Sequence, residues 1–396
     1  MASSIDNRDL AGNLNPPQIV VLGAGAIGCY IGAWLNTTKA QLTFLGRPSV
    51  EQRIKQHGLT ASDLNQRSVF FDPSKISFAT NPEVLKSADL ILVTVKSADT
   101  PEAARQILRH AKPSALVISF QNGVGNAKLL KQQLPDMAII SGMVPFNVAT
   151  LPEGRLHCAT EGQLCAEDHE ALSPWLLLFK ACGLPIQLHQ QFEAIQWGKL
   201  ILNLNNSVNA LSGLPLKAQL SDRAYRQSLA LLIEETLHIL KLAGIQPAKI
   251  SKAPPSLLPV LLRAPNFIFK RLAAGMLKID DSARSSMWED LQMQRKTEVD
   301  YINGAVINLA HSLGQTAAIN SRMVALIKSA EAGEYRPQDG RHLLSDLMHP
   351  QTSHQLTYIK PQPFSEALFG DKRIPRVYHE THHVSTSIRP ENWEQK

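Results

Sequence analysis

A doubly wound α/β domain followed by an all-α domain is the fold class that this sequence predicts. Three observations predict it. Through the first half, short and continuously apolar runs alternate with helical patterns, as buried parallel strands and their covering helices do. The first of those runs ends in a spaced glycine triplet that opens a helix. Near residue 190 the rhythm turns wholly helical. A chain of 396 residues, 44% hydrophobic and 19% charged, has the length and the apolar material for two cores.

In order along the chain, residues 1–16 read as a polar leader. "MASSIDNRDLAGNLN" has no apolar h-region, so it is not a secretory signal, and its two aspartates argue against an organellar presequence. "QIVVLG" is the first strand and Ala26–Leu35 the first helix. Gln41–Gly46 is the second strand, and Asp89–Val95 is a buried strand by its unbroken apolar character. A helix over Glu102–Ala111 and strands over Ala115–Phe120 and Ala138–Met143 continue the alternation, giving an α/β domain over residues 17–190. A helical domain over 191–333 follows, interrupted at Ala253–Phe267, where four prolines break the helices. Residues 334–396 read as a C-terminal extension, rich in Pro and His and poor in periodicity. Within it, His379, His382 and His383 flank Glu380, but no second ligand cluster has structural-site spacing, and no metal is expected.

Net charge is +6, and the excess is spread along the chain. That suits a generic basic surface or an anionic ligand, and no nucleic-acid partner is expected. The apolar runs stop short of the roughly 18 residues a membrane span needs, so no membrane partner is expected either. Cys29, Cys158, Cys165 and Cys182 form no C-x-x-C pair and read as free, buried thiols of a reducing compartment, which with the absent signal points to the cytoplasm.

Gly23, Gly25 and Gly28 give G-x-G-x-x-G over "GAGAIG", with Ala24, Ala26 and Ile27 between them. After a strand and at a helix start, such a loop turns sharply, admits a pyrophosphate to its backbone and packs the helix close to the sheet. This makes the first domain Rossmann-type. An NAD site places an acid on the ribose about twenty residues on. Here "FLGRPS" offers Arg47, with no carboxylate between Gln41 and Val50. Arg47 is either a surface arginine in a turn or a clamp for a 2′-phosphate, and the second choice makes the cofactor NADPH.

Ligands of open α/β sheets bind at the carboxyl ends of strands. Two stretches lie there: "VTVKSAD" with Lys96, and "SFQNGVGN" with Asn122. In "WGKLILNLNNSVNAL", helical spacing brings Lys199, Asn203 and Asn206 within about 60° of one another, with Leu200, Ile201, Leu204 and Val208 opposite. That polar stripe faces either water or a cleft, and asparagine's poor helix propensity suits a cleft better. In "ARSSMWEDLQMQRKTEVDYING", Ser285 and Ser286 precede a helical turn that they can cap, and Glu298 reads as a helix residue within reach of Arg295.

Together "GAGAIG", "VTVKS", "QNGVGN", "WGKLILN" and "SSMWEDLQMQRKTEVDYING" resemble the ketopantoate reductase (2-dehydropantoate 2-reductase) family over Gln18–Glu331. The resemblance implies an active site between the two domains. It implies Lys199 and Glu298 as catalytic residues, and Asn122, Asn203, Ser207 and Ser286 as substrate contacts. Ser207 stands where the family often has a second asparagine. Lys96 and Asn122 would lie near the nicotinamide. The implied reaction is NADPH-dependent reduction of 2-dehydropantoate to (R)-pantoate, in pantothenate and coenzyme A biosynthesis, by a possible homodimer acting on a small anionic 2-keto acid. Reduction of another small 2-keto acid is the alternative. A non-catalytic dinucleotide sensor would have no reason to keep Lys199, Glu298 and Ser286.

Overall fold

The computed structural model describes residues 16–158, 160–250, 253–272, 283–337 and 339–349. The polar leader up to residue 15, residues 273–282 and the "YHETHH" histidines lie outside them. The strands are β1 (Gln18–Leu22), β2 (Gln41–Leu45), β3 (Leu59–Asp63), β4 (Ser68–Phe71), β5 (Ser77–Ala79) and β6 (Leu90–Val93). After them come β7 (Leu116–Ser119), β8 (Ile139–Met143), β9 (Val148–Thr150), β10 (Leu156–Cys158), β11 (Leu164–Glu167) and β12 (Ile186–His189). The first domain's helices are α1 (Ala26–Leu35), α2 (Pro48–His57), α3 (Thr100–His110), α4 (Asn126–Gln133) and α5 (Ser173–Ala181).

Eight strands form one sheet in the order β12-β11-β8-β7-β6-β1-β2-β5. From β8 to β5 every pairing is parallel, and β11 runs antiparallel to β8. The chain winds outward from β1 in one direction through β2 and β5, and in the other through β6, β7 and β8. The switch point therefore lies between β1 and β6, where a crevice opens at the strand ends. The five strands expected from apolar character are β1, β2, β6, β7 and β8. A second sheet, β4-β3-β10-β9, was not expected. Its strands are short and carry polar residues at alternate positions, so they lack the continuous apolar signature. It packs on α1, whose residues from Gly28 to Leu35 are all buried. Covered by a sheet on each side, α1 can be apolar all round.

The second domain comprises α6 (Phe192–Asn203), α7 (Asn205–Ser212), α8 (Leu216–Ser221), α9 (Arg223–Leu242), α10 (Leu258–Arg263), α11 (Asn266–Leu272), α12 (Ser286–Gln292), α13 (Val299–Ser312), α14 (Ala318–Glu331) and α15 (Gly340–Met348). It has its own core, separate from the two cores on either face of the large sheet. Among the described residues no helix is long and apolar enough to cross a membrane, and all four cysteines are free and buried.

The stretch after Gly333 is corrected by α15. Asp339 caps this helix, Leu343 and Leu347 are 0% and 2% exposed, and α15 packs on α9. Two apolar anchors one turn apart suffice to dock a nine-residue helix, but they are too few for a periodic pattern to stand out. Leu343→Ala is expected to destabilise the domain by about 2–5 kcal/mol, read as a lower urea-unfolding midpoint with an unchanged slope.

Candidate active site

The glycine loop is built for close approach. Gly23 has φ +113°, a conformation that favours glycine, and Thr94 Oγ1 donates to its carbonyl at 2.7 Å. Gly28 lies against that carbonyl and that hydroxyl with no room for a Cβ, so α1 sits tight on the sheet. A Cβ at Gly25 would meet nothing within 4 Å, so its backbone stands open at the start of α1. The first turn of α1 holds no acidic residue to offset the positive helix end. Open backbone, free N–H groups and an uncompensated dipole fit a dinucleotide pyrophosphate. Ala24 is buried, and Gly46 passes close against it at the end of β2. Next to that strand end Arg47 caps α2, with a side chain 77% exposed and 3.5 Å from Asp99.

Across the switch point, the loops after β6 and β7 reach the helical domain. Lys96 Nζ donates to Asp290 Oδ1 at 2.6 Å, so Lys96 ties the first domain to α12. Burial pushes the Asp290 carboxyl up, and the Lys96 hydrogen bond pulls it back. Glu298 is not within a helix, as sequence spacing suggested. A turn with Gln294 at φ +51° ends the α12 region, and Glu298 is the N-cap residue of α13. Its carboxylate does not reach back along a helix to Arg295. It accepts instead from Ser97 N at 3.2 Å, Ser97 Oγ at 3.1 Å and Asn122 Nδ2 at 3.3 Å.

A buried amide and hydroxyl chain fixes those donors. Gln121 Nε2 donates to Thr100 Oγ1 at 2.7 Å, and Thr100 donates to Asn126 Oδ1 at 2.9 Å. Asn126 Nδ2 then donates to Ser97 Oγ and to the Asn122 carbonyl, at 3.0 and 2.8 Å. Thr100 is fully buried, and Gln121 and Asn126 nearly so, so each needs these partners. Ser97, Gln121, Asn126 and Asp290 stand within the sequence motifs, but no local pattern marks them as parts of this site.

Lys199 and Asn203 lie one turn apart on α6 and line the same small cleft as Asn122. Ile201, Leu204 and Val208 are buried, as the periodicity predicts, whereas Leu200, also buried, lines the cleft beside Lys199. Lys199 Nζ donates to the Val144 carbonyl rather than to Glu298. Burial lowers its pKa to about 8, against the raising influence of Glu298 and Cys165. The helix breaks at Leu204, so Asn206 and Ser207 belong to α7. Ser207 is 0% exposed and its hydroxyl donates to the Leu204 carbonyl at 2.9 Å, so the structure does not bring Ser207 to the cleft. Of the two serines, Ser285 caps α12 by accepting from Trp288 N at 3.1 Å. That leaves Ser286 exposed at the first position of the helix.

A glycine loop with the room for a pyrophosphate and a half-buried lysine, set where an α/β domain meets a helical one, fit an oxidoreductase of the dinucleotide-dependent class. Family models described as "Ketopantoate reductase PanE/ApbA" and "Ketopantoate reductase PanE/ApbA C terminal" match residues 19–170 and 191–331. The chain belongs to the ketopantoate reductase family. It is similar to a 2-dehydropantoate 2-reductase of Halobacterium salinarum, 26% identical over 79% of this chain and 99% of that one. A PanE/ApbA family ketopantoate reductase from Ralstonia eutropha JMP134 superposes with a TM-score of 0.68, at 25% identity over 80% of this chain and 99% of that one. The fold is also that of a D-mandelate dehydrogenase solved with NADH and anilino(oxo)acetate, with TM-score 0.66 and 18% identity over 80% of this chain and 99% of that one.

Proposed function

We propose that the protein reduces 2-dehydropantoate to (R)-pantoate with NADPH, in the supply of pantothenate and coenzyme A. The observation that carries this is Lys199: an amine in the cleft, its pKa lowered to about 8, with Asn122 and Asn203 beside it. The Gly23–Gly28 loop would hold a reduced dinucleotide, which when bound would supply the hydride for a ketone carbon. As charge grows on the ketone oxygen, Lys199 stabilises it and donates the proton from Nζ. Glu298 acts on the lysine through its negative charge, which favours the protonated amine, and offers its carboxylate to a substrate hydroxyl. Asn122, Asn203 and Ser286 are neutral hydrogen-bonders for the substrate's polar groups, and add no charge beside the reacting carbon. Lys96 and Asn122 would border the nicotinamide end of the bound dinucleotide.

A second reading, reduction of a different small 2-keto acid, is favoured by one observation. Ser207 is turned into the core, so the substrate contact implied for that position is missing. NADPH oxidation rates with 2-dehydropantoate against a panel of 2-keto acids decide between the two. A kcat/KM at least about tenfold above every other acid is expected for 2-dehydropantoate, a difference of roughly 1.4 kcal/mol in transition-state binding. A better acid in the panel makes the second reading the function.

Arg47 is proposed to hold the 2′-phosphate. A charged hydrogen bond of this kind contributes about 1.5–3 kcal/mol. Arg47→Ala is therefore expected to raise the KM for NADPH about tenfold or more and to leave that for NADH nearly unchanged. The Asp99 carboxylate, 3.5 Å from the guanidinium, is what the phosphate displaces. Equal use of NADH and NADPH by the unmodified enzyme sinks this assignment.

A further inference from the structure

The proline-rich insertion carries an apolar face that the reaction does not use. Leu257, Val260, Phe267, Ile268 and Leu272 are 56%, 70%, 75%, 36% and 66% exposed. Five large apolar side chains within sixteen residues are more than isolated surface exposure accounts for. Val260 stands on α10 and Phe267, Ile268 and Leu272 on α11. At 70% and 75% exposure, Val260 and Phe267 project from the surface rather than line a groove.

Within the stretch of sequence that carries this face, the charge is of one sign. From Thr236 to Leu272 the sequence holds no Asp or Glu, although the whole chain has 34. The same stretch holds Lys241, Lys249, Lys252, Arg263, Lys270 and Arg271. Lys249, Lys270 and Arg271 are exposed, while Arg263 pairs with Glu234 from outside the stretch. A second copy docking symmetrically on this face would bring its cations together, which opposes self-association. Projecting apolar side chains with the exposed cations Lys270 and Arg271 on the same short helix match a surface with a negative outer layer over an apolar interior.

We propose that α10 and α11 dock the protein on anionic lipid, with Phe267 and Leu272 entering the acyl boundary and Lys270 and Arg271 meeting the headgroups. This is peripheral attachment, a partner that composition alone did not suggest. It leaves the catalytic cleft in the protein's own interior, so turnover does not depend on it.

The test is co-sedimentation of the full chain with phosphatidylglycerol–phosphatidylcholine vesicles and with phosphatidylcholine vesicles. Binding is expected only to the first, and is expected to weaken as salt rises. Phe267→Ser with Leu272→Ser should lower the partition coefficient about tenfold or more through lost apolar burial. Lys270→Glu with Arg271→Glu should lower it similarly through charge. Both variants should keep wild-type turnover and melting temperature. A wild-type protein that stays in the supernatant at low salt overturns the proposal. So does salt-independent binding to phosphatidylcholine alone. A concentration-dependent dimer in lipid-free buffer that Phe267→Ser dissociates, without vesicle binding, assigns the face to a second copy instead.

Discussion

Replacing Lys199 with alanine is expected to lower turnover by about 10²–10⁴, the usual contribution of a positioned general acid, while NADPH binding is retained. The two effects separate because the groups sit on different domains. The glycine loop lies between β1 and α1, and Lys199 lies on α6. Fluorescence titration follows cofactor binding independently of rate. The lysine also sets a pH limit. An ordinary lysine amine titrates near 10.5, but burial brings this one to about 8. A general acid must carry its proton, so turnover is full below pH 8 and falls as pH rises through 8. Above that point the fall approaches tenfold per pH unit, because the protonated fraction does. Near-normal turnover in Lys199→Ala, or a rate that climbs through pH 8, removes Lys199 from the role.

Much of this site was legible in the sequence because its parts are local. The glycine loop needs only a strand, three spaced glycines and a helix, and Lys199 with Asn203 needs only helical spacing. What sequence could not give is the pairing between distant segments. Ser97 and Glu298 are separated by 201 positions and Lys96 and Asp290 by 194, so only the fold brings them together. Glu298 was misread as a helix residue because nothing in "QMQRKTEV" marks the turn at Gln294, a non-glycine residue at positive φ. Ser207 is buried although spacing places it beside the polar stripe, because a serine hydroxyl can satisfy itself on the carbonyl of its own helix, here that of Leu204, and so needs neither water nor a ligand. The second sheet escaped notice because three- to five-residue strands with polar outer positions carry little periodic signal.

Glu298→Ala is expected to cost about 10–100-fold in kcat/KM, the range that one charged hydrogen bond supplies, spread over both kcat and KM. Its carboxylate takes two donors from Ser97 and one from Asn122, so those groups are left without their acceptor in the variant. A loss of that size could come from a loosened loop alone, and the pH profile distinguishes the causes. Glu298 raises the Lys199 pKa against burial. Removing the negative charge therefore lets burial act further, and the descending limb of the turnover profile moves below pH 8. A merely structural defect lowers the whole profile without moving that limb. The double variant adds a second discriminator. If both residues serve one transition state, Lys199→Ala already forfeits most of what Glu298 contributes through it. The double loss should then fall well short of the product of the single losses. A limb that stays at pH 8 in Glu298→Ala, together with fully multiplicative losses, separates the two residues and leaves Glu298 as a support for the Ser97–Asn122 loops alone.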